Sequence, residues 1–418
     1  MAGQQSTELQ RSIPKEISIS ELAFLFKTKG EKACEEFISK KLEKWKTVDV
    51  KIGVIGRVKS GKSSFINAVL ELKSNDAGAA KVGILQTTRL VKAYDHPKNN
   101  LIKLYDIPGM GTKAFPRDNY LKIIDYDKYD ICIIVTNGVY SEDETFLAEQ
   151  LKNHNKTFFY VRTFIAQDIE NDKQDNVNSD PQLLINSVRQ AIIEDIPLGS
   201  SSELYIIDNR HPLEYDFPEL TKKILTSLKS KKREALLYSL NASDKIILDE
   251  KIKQLRKRIF WASAISGAKR IVPLYGNKLD LNLIRERSKF FILQLGLTTE
   301  ALKTLAGLTK TPFKDLQIIV QPPDDPSAIY GFADDDDNIL KTMIEKLDLQ
   351  NAGIVKIDSW LLSVPIYATY AGSRMTYKIL YAILSKMELS EREVIYRAGK
   401  TLAIGAERSL ADMSMNKL

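Results

Sequence analysis

The residues most able to do chemistry lie in GRVKSGKSS, positions 56–64, which fits Gly-x-x-x-x-Gly-Lys-Ser through Gly56, Gly61, Lys62 and Ser63. Glycines at those two places let backbone N–H groups turn inward and wrap phosphate oxygens, and a helix beginning at Lys62 adds its dipole. The lysine reaches the β- and γ-phosphates, and the Ser63 hydroxyl is placed to ligate Mg²⁺. Lys59, Ser60 and Ser64 complete the wrap. A second element, DIPGMG (106–111), closes an apolar stretch. There Asp106 reaches Mg²⁺ through water and Gly109 offers its N–H to the γ-phosphate, the pairing that lets a switch sense hydrolysis. Between the two, Thr87 and Thr88 stand where a threonine contacting both Mg²⁺ and γ-phosphate is expected, and either suits.

Two further side chains bear on turnover. Met110 follows Gly109 at the place where small Ras-like GTPases carry a water-orienting glutamine, and a thioether cannot orient water. Hydrolysis would then need another group, for instance one from a partner subunit. Arg57 and Lys59 put cations in the loop; one could stabilise transition-state charge, or both could point to solvent.

These residues need a strand before the loop and a helix after it. VDVKIGVIG (48–56) reads as a strand and SSFINAVLEL as the helix. LIKLYDI (101–107), YDICIIVT (129–136), KTFFYVRT (156–163) and ELYIID (203–208) are further short apolar strands, with helical patterns such as DETFLAEQLKNH between several of them. The alternation predicts an α/β domain with a mostly parallel sheet. Ahead of it, residues 1 to about 15 are polar, and Ile19–Trp45 has helical spacing of Ala33, Phe37, Ile38, Leu42 and Trp45. After about Lys222 the pattern becomes helical throughout, without a convincing strand series. The predicted layout is an N-terminal helical segment (1–47), a nucleotide-binding α/β domain (48–228) and an all-helical domain (229–418). The stretch QPPDDPSAIYGFADDDD (321–337) reads as a long loop. Its Asp334–Asp337 run could hold a cation, although adjacent carboxylates ordinarily form a solvated turn.

Composition narrows the class. With 418 residues, 44% hydrophobic and 28% charged, the chain is an ordinary globular protein of two or so domains. Two cysteines, Cys34 and Cys132, and three scattered histidines, His96, His154 and His211, exclude a disulfide framework and a zinc cluster as organising principles. A net charge of +7 permits contact with anionic lipid or phosphate ligands, and no nucleic-acid recognition module accompanies it. Nucleic acid is therefore not an expected partner. The N-terminus lacks an apolar signal region and a Met-Gly start, and no uncharged apolar run reaches the roughly 18 to 20 residues of a membrane span. The expected location is cytoplasmic, with peripheral membrane contact as an option. The apolar stretch SWLLSVPIYATYAGSRMTYKILYAIL (359–384), interrupted by Arg374 and Lys378, could lie in an anionic interface or form a buried hairpin of the helical domain.

Over nearly the whole chain after about residue 48, these motifs resemble the immunity-related GTPase family of large, interferon-linked GTPases. The likeness is carried by GKSSFINAVL, GAAKVG (78–83), DIPGMG, FPRDNYLKII (115–124) with YDKYDICIIV, FFYVRT (158–163), YDFPELTKKIL (215–225), LRKRIFW and TTEALKTLA. The resemblance implies an α/β Ras-like P-loop GTPase domain with N-terminal and C-terminal helical parts. It also implies a GTP/GDP cycle with Mg²⁺, dimerisation or oligomerisation in the GTP state, and action on intracellular membranes in cell-autonomous defence. Carried over by position, Gly56, Gly61, Lys62, Ser63 and Ser64 match the P-loop, Thr88 the switch-I threonine, and Asp106 with Gly109 the switch-II motif. Lys62, Thr88 and Gly109 are thus the expected catalytic contacts, and Ser63, Thr88 and Asp106 the expected metal contacts.

On the base side, the family's Thr-Lys-x-Asp falls on Thr163, Phe164, Ile165 and Ala166, and Asp168 lies two residues late. Asp208, Asn209 and Arg210 stand in place of Ser-Asn-Lys, and the family's P-loop acidic residue is Arg57. Thr163, Asp208 and Asn209 are the remaining expected nucleotide contacts. Loss of a charge-assisted base contact costs roughly 1.5 to 3 kcal/mol. The sequence therefore predicts a GTP-hydrolysing switch, or alternatively a nucleotide-binding regulator with little hydrolysis and relaxed guanine specificity.

Overall fold

The computed structural model describes residues 19–82, 90–110, 114–138, 142–176, 178–195, 204–268, 281–320 and 365–415. In chain order, helix α1 (Ile19–Glu43) and a 3₁₀ turn (Lys44–Thr47) lead into β1 (Val50–Gly56) and α2 (Lys62–Val69). The hairpin β2 (Lys92–His96) and β3 (Asn99–Pro108) follows, then α3 (Tyr120–Ile124), β4 (Ile131–Thr136), α4 (Glu142–Asn153) and β5 (Phe158–Arg162). Next come α5 (Ile165–Asp175), α6 (Pro181–Asp195), β6 (Leu204–Ile206), α7 (Phe217–Ser227) and α8 (Ser230–Ser239). The remainder is helical: α9 (Lys245–Ala268), α10 (Leu281–Leu295), α11 (Thr299–Thr309), α12 (Phe313–Val320) and α13 (Pro365–Met415). By their internal contacts the residues group as two units, Lys44–Leu240, and Met1–Glu43 together with Asn241–Leu418.

The first unit is built on a six-stranded sheet in the order β2-β3-β1-β4-β5-β6, parallel except for the β2–β3 hairpin. β1 and β4 are buried along nearly their whole length, as strands covered by helices on both faces must be. One face carries a core of Ile55, Ile107, Tyr120, Ile134, Leu147 and Tyr160, to which α3, α4 and α6 contribute. Phe65 of α2 and Phe217 of α7 pack with ring centroids 6.1 Å apart. Helix α8 belongs to this unit: its C-terminal half is buried through Ala235, Leu236 and Leu237, and Tyr238 meets Trp45 edge-on at 5.0 Å. The sheet is the mostly parallel one that the strand–helix alternation predicts.

In the second unit, α9 packs along α13, burying Leu248, Leu255 and Ile259 on one helix and Ile379, Leu380, Ile383 and Leu384 on the other. Of the 359–384 stretch that suggested either a membrane face or a core element, Ile379, Leu380, Ile383 and Leu384 are buried in this unit while Met375 and Tyr381 are exposed; the side chains of 359–374 lie outside the described residues. Arg258 of α9 holds the end of α1, donating to the Leu42 carbonyl at 2.7 Å and to Glu43 at 2.8 Å. Among the described residues no helix is long and apolar enough to cross a membrane. The 321–337 stretch with its four aspartates lies outside the described residues, as do residues 1–15.

Candidate functional site

The phosphate-loop sequence occupies the turn between β1 and α2. Glycine is required at its first position because a Cβ on Gly56 would stand 2.2 Å from the Val135 carbonyl oxygen of β4. From there Arg57, Val58 and Lys59 run exposed, with Lys59 in the left-handed region (φ 67°), and Ser60 turns inward to 1% exposure. Gly61, also left-handed at φ 92°, precedes α2 without any side-chain cap. The first-turn N–H groups of a helix have no intrahelical acceptor, so this start is an anion site with the dipole behind it.

Lys62 and Ser63 extend from that first turn. The Lys62 ammonium is buried (7% exposed) and donates to the Arg57 carbonyl at 2.8 Å, folding back across the loop. Burial pushes its pKa down, and Asp106 pulls it partly back. A desolvated cation with a neutral acceptor gains most from an anion beside it. The Ser63 hydroxyl donates to the Asp106 carboxylate at 3.0 Å. Asp106, 1% exposed, lies in β3 directly opposite Val54 of β1. A hydroxyl and a carboxylate are hard oxygen donors of the kind Mg²⁺ takes, usually with few protein ligands and the rest from phosphate and water. The donor set fits that ion.

Just past β3, the Gly109 backbone presses on the start of the phosphate loop: a Cβ there would be 2.9 Å from the Gly56 carbonyl oxygen and 3.3 Å from Arg57 Cα. Tyr120 fixes this exit by donating its hydroxyl to the Pro108 carbonyl at 2.6 Å. Met110 is partly buried against the core cluster that includes Ile107 and Phe115. Thr87 and Thr88 lie outside the described residues.

The base-side loops are tied to the same turn. Thr163, fully buried, donates its hydroxyl to the Ser60 carbonyl at 2.8 Å and has the Thr136 carbonyl at 3.1 Å. Asn209 donates its amide to the Gly61 carbonyl at 3.2 Å. Asp208 accepts from the Arg210 N–H at 2.8 Å and lies 3.2 Å from His211 Nδ1. Burial opposes ionisation of Asp208, but the His211 and Arg210 contacts outweigh it and the carboxyl titrates below its ordinary range. Asp168 sits in the first turn of α5, where its carboxylate pairs with the buried Arg162. Of the residues expected from sequence, Gly56, Lys59, Ser60, Gly61, Lys62, Ser63, Ser64, Asp106, Gly109, Thr163, Asp208 and Asn209 all fall on this turn or on the strand ends and loops around it.

Two contributors went unread in the sequence. Asn67, buried in α2, makes two bonds to Ala80, donating to its carbonyl at 2.9 Å and accepting its N–H at 2.6 Å. This fastens Ala80 to the helix that starts at the phosphate loop. The signal was available, since an asparagine inside a short apolar helix is a weak helix former that needs a partner when buried. Arg162 is the other, and a cation ending a buried strand gives no hint of its carboxylate until the turn of α5 is known.

The chain matches the family model described as "Interferon-inducible GTPase (IIGP)" over residues 26–362. It is 26% identical over 313 residues to the T-cell-specific guanine nucleotide triphosphate-binding protein 2 of Mus musculus, covering 74% of each chain. To the Interferon-inducible GTPase 1 of Mus musculus it is 26% identical over 321 residues, covering 75% of this chain and 76% of that one. A solved structure, that of a probable GTP-binding protein engB, is similar at a TM-score of 0.29 and 16% identity over 43% of this chain and 98% of that one.

Proposed function

Because the chain belongs to the interferon-inducible GTPase family, we propose that it is a GTP-hydrolysing switch whose nucleotide lies on the turn between β1 and α2. The observation that carries this reading is the meeting, on one turn, of an uncapped helix start, a buried lysine and the Ser63–Asp106 pair. The backbone N–H groups from Lys59 to Ser64 cradle the phosphates, and Lys62 exchanges the Arg57 carbonyl for phosphate oxygen. Ser63 and Asp106 would hold Mg²⁺, which when bound neutralises charge on the β- and γ-phosphates. Gly109 would offer its N–H to the γ-phosphate, from a backbone that lies against Gly56 where a Cβ would crowd it. Thr163 and Asn209 act through the loop: they hold the Ser60 and Gly61 carbonyls outward, so the amides face the phosphates. Thr88 is assigned to switch I on the sequence.

Self-association in the GTP state is the second part of the proposal. With a thioether at Met110, partly buried against the core, no side chain at that position orients water, and Arg57 and Lys59 are the exposed cations of the loop. A second copy supplying the missing group makes turnover depend on concentration. Peripheral action at intracellular membranes in cell-autonomous defence is the role we attach to family membership, and the charge of +7 suits an anionic surface. The test is phosphate release from GTP at rising protein concentration. Specific activity that climbs with concentration supports an assembling GTPase. Activity independent of concentration removes the second copy from the mechanism, and no release at any concentration removes hydrolysis.

A further inference from the structure

The residue following the buried Thr163 is Phe164, and its placement is unusual for an apolar side chain. Its backbone is left-handed (φ 65°, ψ 23°), a conformation that L side chains adopt at a cost, and it caps α5 without a side-chain bond. The residue remains 39% exposed. Its edge nevertheless lies against the phosphate loop: a Cβ on Gly61 would find Phe164 Cε2 at 3.4 Å, beside Thr163 Oγ1 at 3.0 Å and Asn209 Nδ2 at 3.2 Å. The Thr163 hydroxyl bond to Ser60 ties the preceding residue to that loop.

The nearby carboxylates are engaged elsewhere. Asp168 pairs with Arg162, and Asp208 takes the Arg210 N–H and lies beside His211. An aromatic face held half in solvent next to a phosphate cradle offers stacking to any flat ring attached to those phosphates. We propose that Phe164 is the platform on which the nucleotide base stacks, so that a face contact supplies the base affinity here in place of a carboxylate. The proposal rests on the β1–α2 turn being the nucleotide site. Stacking is indifferent to the pattern of base-edge donors and acceptors, because every base presents a π-face. This contact therefore strengthens binding of guanine and adenine nucleotides by the same factor, and any preference for guanine arises from other residues.

The test uses the full chain with Mg²⁺ and GTP, GDP or ATP in titration calorimetry, comparing wild type with F164L and F164W. Leucine keeps apolar bulk and loses the aromatic face; tryptophan enlarges the face. F164L is expected to weaken each nucleotide that wild type binds by a common factor of about ten. F164W is expected to bind at least as well as wild type, with its added indole emission quenched by GTP. Unchanged affinity in F164L, or a loss confined to GTP, overturns the proposal. If circular dichroism shows F164L unfolded, F164W decides, and unaltered emission at saturating GTP overturns it. A wild-type chain that binds none of the three nucleotides overturns the assignment of the turn itself, and this inference with it.

Discussion

At Lys62, burial and charge conflict within the phosphate loop. Its ammonium is held at 7% exposure with the Arg57 carbonyl as its acceptor. Replacing it with methionine removes the desolvation penalty together with the phosphate contact. K62M is expected to keep or raise the melting temperature while losing GTP binding in calorimetry. A K62M chain that binds GTP as wild type does would show that the loop holds no phosphate. Thr163 makes the opposite trade. T163V leaves the Ser60 carbonyl without its hydroxyl donor in a buried place, at a cost of about 1 to 3 kcal/mol. A lower melting temperature and weaker GTP binding are both expected, since the loop loses its brace. His211 adds a pH response to the neighbouring turn. The Asp208 hydrogen bond raises its pKa above the ordinary 6.5, with burial opposing. The stabilisation from His211 is complete below that value and is lost as pH rises through the raised one. Asp208, whose pKa is lowered, contributes above the ordinary 3.8 and loses its contribution as pH falls through its folded value. An NMR titration of His211 should therefore give a midpoint above 6.5 that drops in D208N. A midpoint unmoved by that substitution would dismiss the pair.

At the scale of elements, the strand that enters the phosphate loop tolerates the least change. G56A places a methyl 2.2 Å from the Val135 carbonyl, which is backbone and cannot step aside. The expected cost is at least about 3 kcal/mol, read as a lost or much lowered thermal transition. G78A, left-handed but with nothing within 4 Å, should cost only about 1 kcal/mol, and equal effects would refute the steric account. The elements that could be read from sequence are those whose burial is continuous. β1, β4, β5 and β6 are such runs, β3 alternates before closing on a buried Asp106–Pro108 end, and each lies within about two residues of the stretch that predicted it. β2 was not read, because KAYDH is a short edge strand that buries only Tyr94 and His96 and leaves Lys92, Ala93 and Asp95 exposed. The Ile19–Trp45 pattern did not reveal that α1 breaks at Gly30 (φ 79°), since a glycine among helix formers is as compatible with a continuous helix as with a kink. Within the site, the phosphate-loop and Asp106 positions were legible because fixed spacing around glycines dictates them. The pairing of Asp168 with Arg162 was not, because it depends on where α5 begins, and that is decided by one left-handed residue.

The whole molecule comprises two units, each with its own core, and the turn proposed to hold the nucleotide belongs to the sheet-bearing one. The composition change near Lys222 marks the transition to helices but not the end of the sheet unit, because the C-terminal half of α8 is buried in that unit and packs at Trp45. Ligand linkage connects the site to the stability of the molecule. GTP at about a hundred times its Kd should stabilise the fold that binds it by about 2.7 kcal/mol, seen as a rise in melting temperature absent from K62M. The most direct test of the central claim is titration calorimetry of the full chain with GTP and Mg²⁺, run beside K62M. The account predicts saturable one-to-one binding of GTP in the micromolar range, abolished by K62M. Absence of binding by the wild type, or equal binding by the variant, would contradict it.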